Sequence, residues 1–274
     1  MKIINTNLEV GSEKPFEIIH LSDTHLTFAD VRDTDRKVLL AKERLTCFSE
    51  AETCLDLAGK TAKEKGAPII HTGDLIDFVS VANIERAKLF TDEYDCFMAA
   101  GNHEFSLYLG EEKEDAAYRN RSLDKVQKAF KNNIRAASRI INGINFVALD
   151  NGYYFFEEEQ LSFLKDEVKK GLPIVLAFHT PLFDKELYDI CMTKWDNAYL
   201  TGVPQELMEC YPPERYEQQL PDKITLETLR YIAEEPKIKA ILTGHLHFTY
   251  EGTFADRIPQ IVNGCTDIRI IEFS

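Results

Sequence analysis

Six times along this chain a short apolar run stops abruptly at polar residues, and that repeat limits the folds open to it. The runs are FEIIHLSDTH, APIIHTGD, DCFMAAGNHE, INFVALDNG, PIVLAFHTP and IKAILTGHLH. Each is short and rich in β-branched or aromatic residues, the pattern of a buried strand. Stretches with helical spacing lie between them. Residues 37–65 carry Leu40, Leu45, Phe48, Ala51, Leu55, Ala58 and Ala62 at that spacing, with Gly66 and Pro68 as stop signals. Residues 80–91, 112–132, 157–169 and 224–235 read as further helices. Strand–helix alternation calls for largely parallel sheets covered by helices. Two passages depart from it. Asn142-Gly143 between apolar runs predicts a tight hairpin, and the tail FTYEGTFADRIPQIVNGCTDIRIIEFS reads as several strands joined by turns. The sheets are therefore expected to be mixed.

With 44% hydrophobic residues over 274 positions, the chain can fill a sizeable core. It has no Pro-, Gly- or Ser-rich linker and no internal repeat, so residues 1–274 are expected to form a single domain. One segment, 184–222, breaks the rhythm. It holds Trp195, Tyr188, Tyr199, Tyr211 and Tyr216, together with Pro204, Pro212, Pro213 and Pro221. It reads as an ordered insertion near the active-site rim, either a lid or binding surface or a packed surface excursion. Tyr188, Trp195 and Tyr199 can stack on a nucleobase, although aromatic residues in an insertion more often form its own small core.

The net charge of −14 disfavours long nucleic acid as a partner, since such binding draws its affinity from Lys and Arg on phosphates. Small anionic substrates stay open, because bound metal ions reverse the local field. No apolar stretch is long enough to span a bilayer, and the N-terminus shows no secretory pattern, so no membrane association is expected. The six cysteines form no C-x-x-C pair, which fits scattered thiols in the cytoplasm.

In open α/β sheets, ligands bind beyond the carboxyl ends of the strands. Here those ends carry Asp23 and His25, Asp74, Asn102 and His103, His179, and His245 with His247. Five of the seven histidines fall at these places, and that concentration is the main functional signal. Carboxylate oxygen and imidazole nitrogen suit first-row metal ions. Residues two apart on extended chain point the same way, so Asp23/His25 and His245/His247 can each converge on one site. Gly73, Gly101 and Gly244 are expected to take positive φ where the backbone swings away from the sheet. His20 and His71 read as strand or supporting histidines rather than direct ligands.

As an ordered set, SDTH (22–25), GD (73–74), GNHE (101–104), FHTP (178–181) and GHLH (244–247) resemble the calcineurin-like metallophosphoesterase family. The resemblance spans residues 18 to 247. It implies an α/β fold, a four-layer α/β/β/α sandwich with two mixed β-sheets flanked by helices. It also implies two divalent or trivalent metal ions, Mn or Fe first and Zn as a third choice. Asp23, His25 and His247 would hold one ion, Asn102, His179 and His245 the other, and Asp74 would bridge both. His103 would serve the leaving group as a general acid, with Glu104 orienting it. The activity implied is hydrolysis of phosphodiesters or phosphomonoesters by a metal-bridging hydroxide, on a small phosphorylated molecule, nucleotides included.

Other branches remain as alternatives. GNHE resembles the protein Ser/Thr phosphatases, but their G-D-x-V-D-R-G block stands here as GDLIDFV, without the arginine and glycine. SDTHL and GDLID resemble cyclic-nucleotide phosphodiesterases and repair nucleases, and a nuclease would need a basic surface. A non-catalytic scaffold on the same fold is the alternative from outside enzymology.

Overall fold

The computed structural model describes residues 1–110 and 114–274. Its strands are β1 (Ile3–Leu8), β2 (Phe16–Leu21), β3 (Ile69–His71), β4 (Cys96–Met98), β5 (Ala136–Ile141), β6 (Ile144–Leu149), β7 (Ile174–Ala177), β8 (Ile238–Thr243), β9 (Tyr250–Phe254), β10 (Ile258–Val262) and β11 (Ile268–Phe273). Its helices are α1 (Asp35–Leu45), α2 (Ala51–Lys65), α3 (Val81–Glu93), α4 (Ala116–Asn120), α5 (Leu123–Val126), α6 (Glu158–Val168), α7 (Lys185–Trp195), α8 (Pro213–Gln219) and α9 (Lys223–Glu234).

Two mixed sheets form the centre. The first has the order β1-β11-β2-β3-β4 and the second β5-β6-β7-β8-β10-β9. Within the first, β2, β3 and β4 run parallel; within the second, β6, β7 and β8 do. The apolar runs are continuous because both faces of each strand are buried. Ile18 and Ile70 point between the sheets and meet Phe146, Val175 and Leu242 from the opposite side. Their neighbours Ile19 and Ile69 point outward against Leu55, Ala58 and Ala62 of α2 and Phe90 of α3. On the far side, Leu176 and Ile241 pack against Leu164 of α6 and Ile232 of α9. The result is a four-layer α/β/β/α sandwich. Among the described residues no helix is long and apolar enough to cross a membrane.

Most sequence-derived elements fall in place. Gly66 closes α2 in the left-handed conformation (φ 62°), and Ser80, Asp222 and the Glu157/Gln160 capping box open α3, α9 and α6. Asn142 and Gly143 both take positive φ and join antiparallel β5 and β6, as a two-residue hairpin requires.

Two helices differ from expectation. Residues 37–65 are not one helix but α1 and α2 with a turn at 46–50. The break frees Phe48 to lie flat on the His25 ring, 4.1 Å away and 12° from parallel. Residues 112–132 form only the short helices α4 and α5 and a 3-10 turn, with 111–113 outside the described residues. There Arg119 is buried in ion pairs with Asp150 and Glu157, and Ser122 donates to the Phe105 carbonyl, so tertiary bonds override helix continuation. The insertion is ordered. It contains α7 and α8 and surrounds its own apolar cluster of Leu187, Tyr188, Cys191, Leu200 and Met208.

Phe146 is fully buried between the sheets and meets Phe273 edge-on at 5.5 Å. Phe146→Ala should cost about 3–5 kcal/mol of stability, read as a lower urea midpoint at unchanged slope.

Candidate metal centre

The parallel strands of both sheets end at one edge, and the functional residues follow them there. Asp23 and His25 follow β2, Asp74 follows β3, Asn102 and His103 follow β4, His179 follows β7, and His245 and His247 follow β8. The loops take tight, unusual paths. Asp23, His25, Asp74, His245 and His247 all have φ between 53° and 70°. Gly73 takes positive φ (100°), but Gly101 and Gly244 do not, contrary to expectation. Those two are required for room. A Cβ on Gly244 would lie 1.7 Å from Ser22 Oγ and 2.3 Å from Asp23 Oδ2, and one on Gly101 would lie 2.2 Å from Asp74 Oδ1.

The donor atoms converge in three overlapping groups. Asp23, His25 and His247 form one, Asp74, His179 and His245 another, and His25, Asp74 and His103 a third. His25 Nε2 lies 3.0 Å from His247 Nε2 and 3.7 Å from Asp74 Oδ2. His247 Nε2 is 3.4 Å from Asp23 Oδ1, His179 Nε2 is 3.1 Å from Asp74 Oδ2, and His245 Nδ1 is 3.1 Å from His179 Nε2. Asp74 thus adjoins histidines of both outer groups.

These residues fit metal ions. Donors each about 2.0–2.2 Å from a shared cation stand apart by gaps of this size. Asn102 Oδ1 is buried with no hydrogen-bond partner, although such an atom is costly to leave unpaired. The histidines are also oriented as ligands. His25 Nδ1 is 2.9 Å from Asp77 Oδ1, and His179 Nδ1 is 2.8 Å from the Thr72 carbonyl. A proton on each Nδ1 leaves Nε2 free to bind, the usual support for a metal-ligating imidazole.

Sequence reasoning missed the supports. Asp77 accepts two bonds from Arg44 of α1, at 2.7 and 2.9 Å, and its carbonyl oxygen lies 2.8 Å from His103 Nδ1. Burial would raise the Asp77 carboxyl, but its bonds to Arg44, His103 and His25 outweigh burial and hold it far below the usual carboxylate range. Tyr154 O–H lies 3.1 Å from His245 Nε2. No local pattern in sequence marks such partners, apart from Asp77 lying within GDLID.

Glu104 sits differently from the expectation that it orients His103. Its carboxylate accepts the backbone N–H groups of Gly101, Asp74 and Leu75 at 2.7 Å each, and of Ile76 at 3.3 Å. It therefore ties the loop after β3 to the loop after β4, while Asp77 holds His103. Burial and the nearby Asp74 charge push the Glu104 pKa up to about 7. His20 and His71 stand behind the centre. His20 Nε2 meets Thr72 Oγ1 at 2.9 Å and His71 Nε2 meets Thr24 Oγ1 at 2.7 Å. Burial drives the His71 pKa down to about 3. Neither occurs in a metal-binding group among the described residues.

Such a centre at the strand ends of a two-sheet sandwich defines a metal-dependent phosphoric ester hydrolase. The chain belongs to the calcineurin-like phosphoesterase family, whose profile matches residues 16–248. Among solved structures it is similar to a dimetal phosphatase from Danio rerio, with 13% identity, 92% of this chain and 88% of that one covered, and a TM-score of 0.53. It is also similar to a purple acid phosphatase from yellow lupin (Lupinus luteus), with 13% identity, 96% and 44% covered, and a TM-score of 0.50. At such identity the likeness concerns the fold. No curated protein matches the chain.

Without metal, the centre stores protons. Burial lowers the affinity of His179 and His25 for a proton, but the Asp74 charge raises His179 to about 9, and bonds to Asp23 and Asp77 raise His25. A cation must displace those protons, so its affinity should rise with pH up to the elevated imidazole values. Titrating Mn²⁺ into metal-free protein at about pH 7, in buffers of different ionisation heat, should show release of roughly one to two protons per protein. Release of none would contradict these proton positions.

Proposed function

We propose that the protein hydrolyses phosphomonoesters or phosphodiesters of small molecules, nucleotides among them, with water as nucleophile and no covalent phosphoenzyme. The observation that carries this reading is the gathering of histidine and aspartate donors from five strand ends, with Asn102, whose buried Oδ1 has no partner, lining the same cavity as His103 and His245. Asp23, His25 and His247 would hold one cation and Asn102, His179 and His245 the second, with Asp74 serving both. Mixed oxygen and nitrogen donors suit Mn or Fe, with Zn the third choice. When bound, such a pair supplies Lewis acidity, neutralising phosphoryl oxygens and lowering the pKa of water.

The chain's own groups do the rest. His103 lines the cavity over the centre, with Nδ1 engaged by the Asp77 carbonyl oxygen. That leaves Nε2 to hydrogen-bond the departing oxygen and give it a proton. Asp77, itself held by Arg44, fixes His25 and His103 together, so a metal ligand and the acid move as one. Glu104 fixes the backbone that carries Asp74. Six unpaired cysteines support a cytoplasmic setting.

The test is metal analysis with hydrolysis of p-nitrophenyl phosphate and bis-p-nitrophenyl phosphate across Mn, Fe, Zn and Ni. Turnover with bound metal is expected, and preference between the two esters assigns the monoesterase or diesterase branch. Inactivity with both would overturn the reading in favour of a scaffold. His103→Ala should keep its metal and lose roughly 10²–10⁴ in kcat, most with poor leaving groups. Loss of metal instead would make His103 a ligand, a role that its grouping with His25 and Asp74 permits.

A further inference from the structure

A cavity of about 730 Å³ opens directly on the metal centre. Asn102, His103 and His245 lie at one end, and α8 of the insertion closes the other with Arg215 and Gln218. Tyr199 joins the two ends. Its ring stands edge-on to the His245 ring at 6.1 Å, and the Arg215 guanidinium carbon lies 5.2 Å from its centroid.

The two arginines of this cavity are in different states. Arg44 is committed to Asp77 by two bonds. Arg215 donates one bond, from Nη1 to the neutral Gln218 Oε1 at 2.6 Å, and among the described residues no ion pair engages it. It is half-buried on an aromatic seat, which orients a guanidinium and leaves its remaining N–H groups for a ligand. Glu114, Glu214 and Glu217 also line the cavity. Among the described residues, Arg215 is the cation of this cavity with N–H groups to spare, and so the address for a second anion. Because the guanidinium already covers Tyr199, the ring serves as its support rather than as a platform for a base.

We propose that Arg215, seated on Tyr199, selects substrates whose leaving group carries its own anion: small phosphoesters with a distal phosphate or carboxylate beside the scissile phosphate. This rests on the phosphoesterase reading above. The distal anion would accept charge-assisted hydrogen bonds from the guanidinium, in a fork geometry that a lysine cannot reproduce.

Three probes with one ring size test it: phenyl phosphate, 4-carboxyphenyl phosphate and 1,4-phenylene bisphosphate. The wild-type protein should favour at least one anionic probe over phenyl phosphate by roughly tenfold or more in kcat/KM. Comparing the carboxylate and phosphate arms names the anion. In Arg215→Ala and Arg215→Gln, each checked for wild-type metal content and melting temperature, the ratio should collapse toward one. Tyr199→Phe should keep the ratio, because the ring face and not the hydroxyl seats the cation, and Tyr199→Ala should lose most of it. A wild-type ratio near one, or a ratio that survives in both Arg215 variants, overturns the proposal. If no probe is hydrolysed, the phosphoesterase reading fails, and calorimetry with 4-phosphonobenzoate then decides this one. Binding weakened roughly tenfold in Arg215→Gln sustains an anion site, and equal binding overturns it.

Discussion

The carboxylate of Asp23, at the end of a first-sheet strand, accepts the backbone N–H of His245, at the end of a second-sheet strand, at 2.8 and 3.1 Å. That contact fixes how the two sheets meet at their carboxyl edge. The sheets bury apolar faces against each other, and such packing sets their spacing but only weakly their sliding. Buried hydrogen bonds supply the direction that packing lacks. The same logic recurs within one sheet, where Asp74 accepts the His103 N–H and Glu104 gathers four N–H groups from two loops. Asp23, Asp74 and Glu104 are thus each tied to a backbone amide of another loop, and Asp77 to the Arg44 side chain.

This bracing explains how so much unfavourable backbone persists. A left-handed conformation costs a non-glycine residue roughly 1–2 kcal/mol, less for Asp, and five donor residues adopt it. Such strain survives where the surroundings overdetermine it, and it aims side chains before any ligand arrives. Room is as tight as conformation. Gly244 touches Ser22 and Asp23 so closely that no side chain fits, which makes the glycine of GHLH a matter of clearance rather than of φ.

Strands and ligand clusters were legible because both rest on local composition. A run buried on both faces is apolar throughout, and its polar stop marks the functional edge. What escaped notice depends on distant partners. The helix expected over 37–65 breaks so that Phe48 can cover His25 and Arg44 can reach Asp77, and nothing in the apolar spacing encodes either contact. The family resemblance implies that Glu104 orients His103, whereas its partners are amides of the loop before it and of the loop from the adjacent strand. The edge strand β1 went unmarked for another reason. Its residues alternate between exposed and half-buried, so it lacks the apolar run that revealed the others.

The segment GHLH gathers these threads. His245 and His247 face the metal centre, while Leu246 between them turns the opposite way, buried in the apolar cluster of the insertion with Val262, Leu200 and Met208. The insertion is therefore anchored on the loop that supplies two donors. Tyr188 and Trp195 belong to that cluster or pack against it, which leaves Tyr199, at its edge, as the aromatic residue of the three that reaches the cavity. The donor loop and the cavity wall are in this way mechanically joined. The strand ends hold the donor groups, the insertion lines the far side of the same cavity, and one buried leucine ties the two together.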